Sequence, residues 1–128
     1  MSQTQYQPGV CNIGGAEVQR RKQVSLFGSA LFLAYAIFAF YTDMSPASAA
    51  LAFLPALIAS VGYVQSRKKF CFAFGLMGTF NFGNLGKLSK VATPEAIAAD
   101  RAMALKIIGQ SVGLALAATA LLLLLTSL

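Results

Sequence analysis

The two cysteines are the strongest nucleophiles in the chain, and their surroundings limit what they can do. Cys11 and Cys71 form no CxxC motif, and the sequence contains no histidine that would activate them. The thiolate is the reactive form of cysteine, and a basic neighbour such as Lys69 favours it. Both cysteines are expected in the cytosol, where thiols are kept reduced. A redox or thiol-nucleophile function at Cys11 or Cys71 is therefore the third of three hypotheses.

The lack of histidine and the positions of the acidic residues argue against an enzyme. Without histidine, the chain has no Ser-His or Cys-His catalytic pair, no His-ligated haem and no His-based zinc site. The 4 acidic residues lie outside the apolar stretches, whereas ion-coupled transporters and proton pumps usually bury an ionisable residue at membrane depth. We expect a non-enzymatic protein with no catalytic residue, no metal site and no cofactor.

The composition is that of a membrane protein and excludes a soluble enzyme, a disordered tail or a disulfide-rich secreted domain. Of the 128 residues, 57% are hydrophobic and 11% are charged, whereas soluble domains carry about 25% charged residues. Three uncharged stretches, 24–41, 46–64 and 107–128, approach the roughly 20 apolar residues that span a hydrocarbon core. Backbone groups in lipid must be paired internally, which forces these stretches to be helical. The sequence predicts an all-α integral membrane protein with three transmembrane helices.

The chain divides into two parts at the start of the first apolar stretch. Residues 1–22 form a polar cytoplasmic N-terminal segment with no cleavable signal pattern, and residues 23–128 form the membrane domain. Within that domain we expect helices over about 24–42, 46–65 and 94–127.

Capping signals support the starts of the second and third helices. Ser45-Pro46 and Thr93-Pro94 each place a capping side chain before a proline at the first helical position. The short turn before Ser45 predicts a tight antiparallel hairpin of the first two helices. Pro55 predicts a bend in the second helix, because its ring removes one backbone hydrogen bond.

Residues 70–86 form an aromatic and glycine-rich segment, and its apolar part, residues 70–83, is too short to be a crossing. Its alternating aromatics resemble a strand, but an open strand edge in lipid would leave backbone groups unpaired. We expect a short helix or loop that lies at the interface or re-enters the membrane before the last helix. It would serve as a docking surface, as the lining of a path, or simply as an anchor at headgroup level. Its interfacial aromatic residues are Phe70, Phe72, Phe74, Phe80 and Phe82.

The basic residues predict the topology. If residues 70–86 do not cross, all 10 lysines and arginines lie on one side, which places the N-terminus in the cytoplasm and the C-terminus outside. We expect a bacterial inner membrane. Basic clusters at the adjacent ends of the first two helices contact anionic lipid headgroups or an acidic partner, or only orient the chain during insertion. Nucleic-acid binding is not expected from a basic surface beside lipid. The clusters are Arg20, Arg21 and Lys22, and Arg67, Lys68 and Lys69.

Small residues recur at helical spacing on two of the predicted helices. Gly109 and Gly113 form a GxxxG motif that Ala117 continues, and such faces let two helix backbones approach closely. A second row of small residues lies on the second helix. Each row packs against the other helices of this chain, against another membrane protein or against a second copy. The second row is Ser48, Ala52, Ala56 and Ser60.

One stretch is similar to a known family. The residues Phe70-Cys-Phe-Ala-Phe-Gly, followed by Gly78-Thr-Phe, resemble the Phe- and Gly-rich helices of small fluoride channels. Those channels cross the membrane once more than the three helices predicted here, and no residue role is carried over from them.

The leading hypothesis is a small non-enzymatic membrane subunit or accessory protein that packs against a larger membrane complex, such as a bioenergetic one, through its small-residue helix faces. The alternative is a homo-oligomeric channel or uncoupled carrier for a small solute or ion, in which the GxxxG motif mediates self-assembly. Polar atoms of Ser60, Asn81 and Gln110 would then line the path.

Overall fold

The structure is a computed structural model that describes residues 6–83 and 88–128. The predicted second transmembrane helix is one rod, Pro46–Lys68, in which a 3-10 turn at Ala50–Ala52 joins two α-helical parts. This rod and the first and last helices are each long and apolar enough to cross a membrane, which confirms the predicted all-α membrane protein with three spanning helices. The helices are α1 (Gly15–Tyr41), α2 (Pro46–Ala49), α3 (Phe53–Lys68), α4 (Phe72–Met77) and α5 (Pro94–Thr126).

Both predicted N-cap residues, Ser45 and Thr93, precede helices as expected. The Ser45 side chain accepts a hydrogen bond from the Ser48 backbone N–H at 3.2 Å, and Thr93 accepts one from Ala96 at 3.1 Å. The 3-10 turn contains Leu51, whose carbonyl would face the ring of Pro55 in a regular α-helix. The bend predicted at Pro55 stays a prediction, and the change of backbone pattern in this rod is the 3-10 turn, which lies one turn before the proline.

α1 begins earlier than the apolar pattern indicated. It starts at Gly15 rather than near residue 24, so the boundary expected at residues 22 and 23 falls inside the helix. The added turns contain Glu and Arg, which are good helix formers. Glu17 and Arg21 also form an ion pair at the favourable i,i+4 spacing. A helix needs only local hydrogen bonds and therefore continues past the end of its apolar stretch.

α1 and α3 form the antiparallel hairpin, and glycines bring their backbones into contact. A Cβ at Gly28 would lie 2.4 Å from the Ala59 backbone nitrogen, and one at Gly62 would lie 2.6 Å from the Ser25 backbone nitrogen. Ser25 donates a hydrogen bond across the contact to the Ala59 carbonyl, at 3.0 Å. This is close packing through small residues, at positions that the sequence analysis did not single out.

α5 packs along α3 as one unbroken helix that passes through Gly109. One stripe of its side chains is buried against the rest of the molecule, and the opposite side is exposed. The buried stripe contains Ala104, Ile107, Ser111, Ala115, Thr119 and Leu122.

The segment that follows α3 folds into a small structure of its own. Gly78 ends α4 in the left-handed conformation, with φ of 72°. The strands β1 (Thr79–Phe80) and β2 (Ser89–Lys90) then pair antiparallel. We call residues 6–14, 69–83 and 88–93 the cap. Residues 84–86 of the predicted interfacial segment, and the first five residues of the predicted N-terminal segment, lie outside the described residues.

The N-terminal segment belongs to this cap. Ile13 forms a parallel bridge with Asn81. The Asn81 backbone N–H donates to the Asn12 carbonyl and the Gly14 N–H donates to the Asn81 carbonyl, each at 2.9 Å. Residues 6–14 are therefore held against the segment that joins α3 to α5.

Substitution of Gly62 by leucine tests the α1–α3 contact. We expect Gly62→Leu to lower the unfolding free energy by about 3 kcal/mol, the upper part of the range for overpacking, because backbone atoms rather than flexible side chains block the new group. Thermal unfolding in detergent, followed by circular dichroism, measures the loss. Gly113→Leu is the matched control, since a Cβ there has no atom within 4 Å. Equal melting temperatures for the two variants would contradict this account.

Candidate functional site

The side chain of Asn12 pairs with the backbone at the start of α4. Its Oδ1 accepts from the Cys71 backbone N–H at 2.7 Å, and its Nδ2 donates to the Cys71 carbonyl at 3.1 Å. Its own N–H donates to the Lys69 carbonyl at 3.2 Å. Asn12 is fully buried, so its side chain satisfies backbone groups that water does not reach.

A buried ion pair lies next to Asn12. Glu17 is 3% exposed, and its Oε1 lies 2.6 Å from a guanidinium nitrogen of Arg21. Its Oε2 accepts from the Asn81 amide at 3.1 Å. The other terminal nitrogen of Arg21 donates to Cys71 Sγ at 2.9 Å, and the guanidinium stands 5.9 Å from the centre of the Phe74 ring. The buried charge is both paired and hydrogen-bonded, as a charge away from water requires.

A third buried polar side chain joins the cap to α3. Gln65 Oε1 accepts from the Phe72 backbone N–H at 3.0 Å, and the Gln65 carbonyl accepts from the Phe70 N–H at 3.2 Å. Lys69, which directly follows α3, adopts the left-handed conformation, with φ of 54°. The sharp turn of the chain after α3 is thus held by hydrogen bonds to Gln65 of the same helix.

A second polar cluster fastens the start of the described chain to α5. Asp100 is fully buried and accepts from the Tyr6 hydroxyl at 2.6 Å and from the Gly9 N–H at 2.7 Å. Burial, together with the hydrogen bond to Asp100 and its charge, raises the pKa of Tyr6 well above its usual range. The Tyr6 ring also stacks on Phe80, with centroids 4.7 Å apart.

The two thiols are buried within the cap. Cys11 is 9% exposed and Cys71 is 3% exposed, and both are free. Burial raises the pKa of the Cys11 thiol, which disfavours the reactive thiolate. In the described part of the chain, no three His, Cys, Asp or Glu side chains are grouped so that they could hold a metal ion.

The five phenylalanines of the predicted interfacial set occupy different environments. Phe70 is fully enclosed and packs with Val64, Ala104 and Ile107, so it belongs to the core. Phe72 packs against the same cluster. The remaining three are partly exposed: Phe74 lies beneath the Arg21 guanidinium, and Phe80 and Phe82 contact each other with ring centroids 6.0 Å apart.

The basic clusters are only partly available to lipid. Arg21 is held by Glu17 on α1 beside the cap, whereas the Arg67 guanidinium lies 6.0 Å from the centre of the Tyr63 ring. Lys68 is half-buried. The exposed members of the two clusters are Arg20, Lys22, Arg67 and Lys69.

The two rows of small residues have different surroundings. Ala52 and Ala56 are buried inside the chain, Ser60 is half-buried, and Ser48 is exposed. The GxxxG face, by contrast, is open: a Cβ at Gly109 or Gly113 would meet no atom within 4 Å. Ala117 and the neighbouring Gln110 are exposed as well.

The three polar residues of the channel hypothesis lie in separate places. Ser60 borders a pocket of about 290 Å³ together with Phe32 and Ala118. Asn81 is buried in the cap, and Gln110 lies on the exposed side of α5.

The polar residues that organise the cap are hard to recognise in the sequence. The i,i+4 spacing of Glu17 and Arg21 was a visible signal for their ion pair. The other partners are far apart in the chain, such as Tyr6 and Asp100, which are 94 residues apart. No local pattern indicates such contacts. The missed residues are Asn12, Glu17, Gln65 and Asp100, whereas Asn81 was expected to line a path.

No family model, curated protein or solved structure matches the chain. Its function is therefore inferred from its own residues.

Truncation of Asn12 tests the cap. We expect Asn12→Ala to leave the N–H and carbonyl of Cys71 buried without these partners, which costs about 1–3 kcal/mol for each group. Hydrogen exchange of the Cys71 amide and thermal unfolding in detergent measure the effect. Gln23→Ala, at an exposed site on α1, is the control. Unchanged protection of the Cys71 amide would contradict the assignment.

The Tyr6–Asp100 contact predicts a dependence of stability on alkaline pH. Because the pKa of Tyr6 is raised on folding, its contribution is complete below the ordinary tyrosine value of 10.0 and declines as the pH rises above it. We expect the stability difference between wild type and Tyr6→Phe to shrink between pH 9 and about pH 11. Melting temperatures across that range measure it, with exposed Tyr41→Phe as control. A constant difference would show that Tyr6 is not the titrating group.

Proposed function

We propose that this protein is a non-enzymatic accessory subunit that docks onto a transmembrane helix of another membrane protein through the GxxxG face of α5. The observation that carries the proposal is the open space at Gly109 and Gly113. A glycine inside a helix lowers helix stability by about 1 kcal/mol relative to alanine. In membrane helices, glycine is common where another helix backbone packs closely against it.

The other two glycines inside the spanning helices illustrate that use. Gly28 and Gly62 each bring a neighbouring backbone within 3 Å of the site of a Cβ. The face of Gly109 and Gly113 offers the same smooth surface, and the described part of the chain does not cover it. A helix supplied from outside would complete the pattern.

Charge favours a different protein over a second copy as the occupant. Lys106 is exposed, and it lies three residues before Gly109 and seven before Gly113, so all three share one helix face. A symmetric parallel pair of α5 helices would bring two Lys106 side chains together, in a protein whose net charge is already +6. A partner helix with acidic residues at its cytoplasmic end would instead attract Lys106.

The cap supports this assignment through rigidity. Asn12 and Asp100 fix the N-terminal segment to α4 and α5, and both thiols of the cap are buried. Because residues 6–14 contact residues 69–83, the two segments lie on the same side of the membrane. With the positive-inside rule, we place the cap at the cytoplasmic face of a bacterial inner membrane, with its aromatic residues at headgroup level.

Co-purification from mild detergent tests the proposed docking. We expect wild type to bring down a membrane protein partner, and Gly109→Leu/Gly113→Leu to lose it while keeping the wild-type melting temperature. Ala34→Leu adds a leucine at an exposed site on α1 and is expected to keep the partner.

Two results would count against the docking proposal. A wild-type protein that runs as a lone monomer would remove it. A pure homo-oligomer that the two leucines disrupt would favour the channel or carrier alternative, which predicts ion or solute flux in liposomes that the same variant abolishes.

A further inference from the structure

A groove of about 640 Å³ lies between the cytoplasmic end of α3 and the neighbouring part of α5. It is open along its length and borders the GxxxG face, with which it shares Gly113. Its walls combine basic, amide and apolar side chains. They are Tyr63, Val64, Arg67 and Lys68 from α3, and Gln110, Gly113 and Leu114 from α5.

The basic residues of the groove lack an acidic partner among the described residues. Among the residues that the structure describes, the ion pair within 4 Å joins Arg21 to Glu17, and no carboxylate lies that close to Arg67 or Lys68. The Tyr63 ring supports the Arg67 guanidinium from 6.0 Å, which holds the charge at the wall of the groove. The groove therefore presents two positive charges without a counter-ion.

The groove is basic and polar at its cytoplasmic end and apolar deeper in the membrane. Arg67 and Lys68 are at the end of the spanning rod Pro46–Lys68. Val64 lies one turn deeper on the same helix, and on α5 Leu114 lies one turn deeper than Gln110. The absence of a side chain at Gly113 widens the apolar half. A ligand that fits is negatively charged at its cytoplasmic end and hydrocarbon below.

We propose that this groove binds one anionic phospholipid. The phosphate would be held by Arg67 and Lys68, and the Gln110 amide would donate to the phosphate or glycerol ester oxygens. One acyl chain would lie between Val64 and Leu114 on the α3 side of Gly113, which leaves the Gly109 side of the face to the partner helix. Basic pockets between transmembrane helices on the cytoplasmic side are typical of such lipid sites. A free phosphate would use only the basic end of the groove.

Native mass spectrometry of the full chain in detergent, with added phosphatidylglycerol or phosphatidylcholine, tests the site. We expect wild type to retain one phosphatidylglycerol and no phosphatidylcholine. Each basic residue at a membrane surface contributes about fivefold in affinity, so Arg67→Gln/Lys68→Gln is expected to lower retention roughly 25-fold. Arg20→Gln/Lys22→Gln removes the same charge at exposed positions outside the groove and is the matched control.

A second variant tests the apolar half of the groove without changing charge. Gly113→Leu fills the space assigned to the acyl chain and is expected to lower phosphatidylglycerol retention while all basic residues remain. This readout also holds if the charge variant unfolds, because a Cβ at Gly113 meets no neighbour. Gly109→Leu lies outside the groove lining, so it separates loss of the docking partner from loss of the lipid.

Three outcomes would overturn the lipid site. Equal losses in the two charge variants would show general attraction of lipid to the basic clusters. Competition by glycerol 3-phosphate at the same concentration as the lipid would assign the groove to a free anion. Retention of phosphatidylglycerol by Gly113→Leu at the wild-type level would remove the acyl chain from the groove.

Discussion

A buried carboxylate needs hydrogen-bond donors or a cation around it, and Glu17 has both, which joins separate stretches of the chain. Arg21 supplies the cation from the next turn of α1, and Asn81 supplies a donor from the segment after α4. Because Arg21 also reaches Cys71, removal of the carboxylate would leave a buried guanidinium without its counter-ion. The rest of the cap, including residues 6–14, is organised around this contact.

The same helices use small residues in two opposite ways. Inside the hairpin, Gly28 and Gly62 let α1 and α3 touch along their backbones, and this fixes the framework on which α5 packs. On the outer side of α5, Gly109 and Gly113 leave a smooth surface that nothing described in the chain covers. The framework is therefore complete within one chain, whereas the outer face is suited to a further helix.

The sequence was sufficient for the features that depend on local chemistry. Apolar length predicted the three spanning helices, and the Ser45 and Thr93 signals predicted two helix starts, because capping and hydrogen bonding within a helix involve neighbours a few residues apart. The glycine contacts were not predictable in the same way. The GxxxG spacing at Gly109 predicted a helix contact, whereas the backbone contact inside the chain is made by the isolated Gly28. Which glycine meets a neighbour depends on how the helices pack, and the periodicity of one helix does not contain that information.

The hydrogen bond from Tyr6 to Asp100 also constrains the order in which the molecule forms. These residues are 94 positions apart, and the ribosome synthesises Tyr6 first. The hydrogen bond can therefore form only after α1, α3 and the first turns of α5 have been made. The hairpin of α1 and α3 needs no later residue for its backbone contact. α1 and α3 can thus enter the membrane and pair during synthesis, whereas the Tyr6–Asp100 contact of the cap forms only once α5 is present.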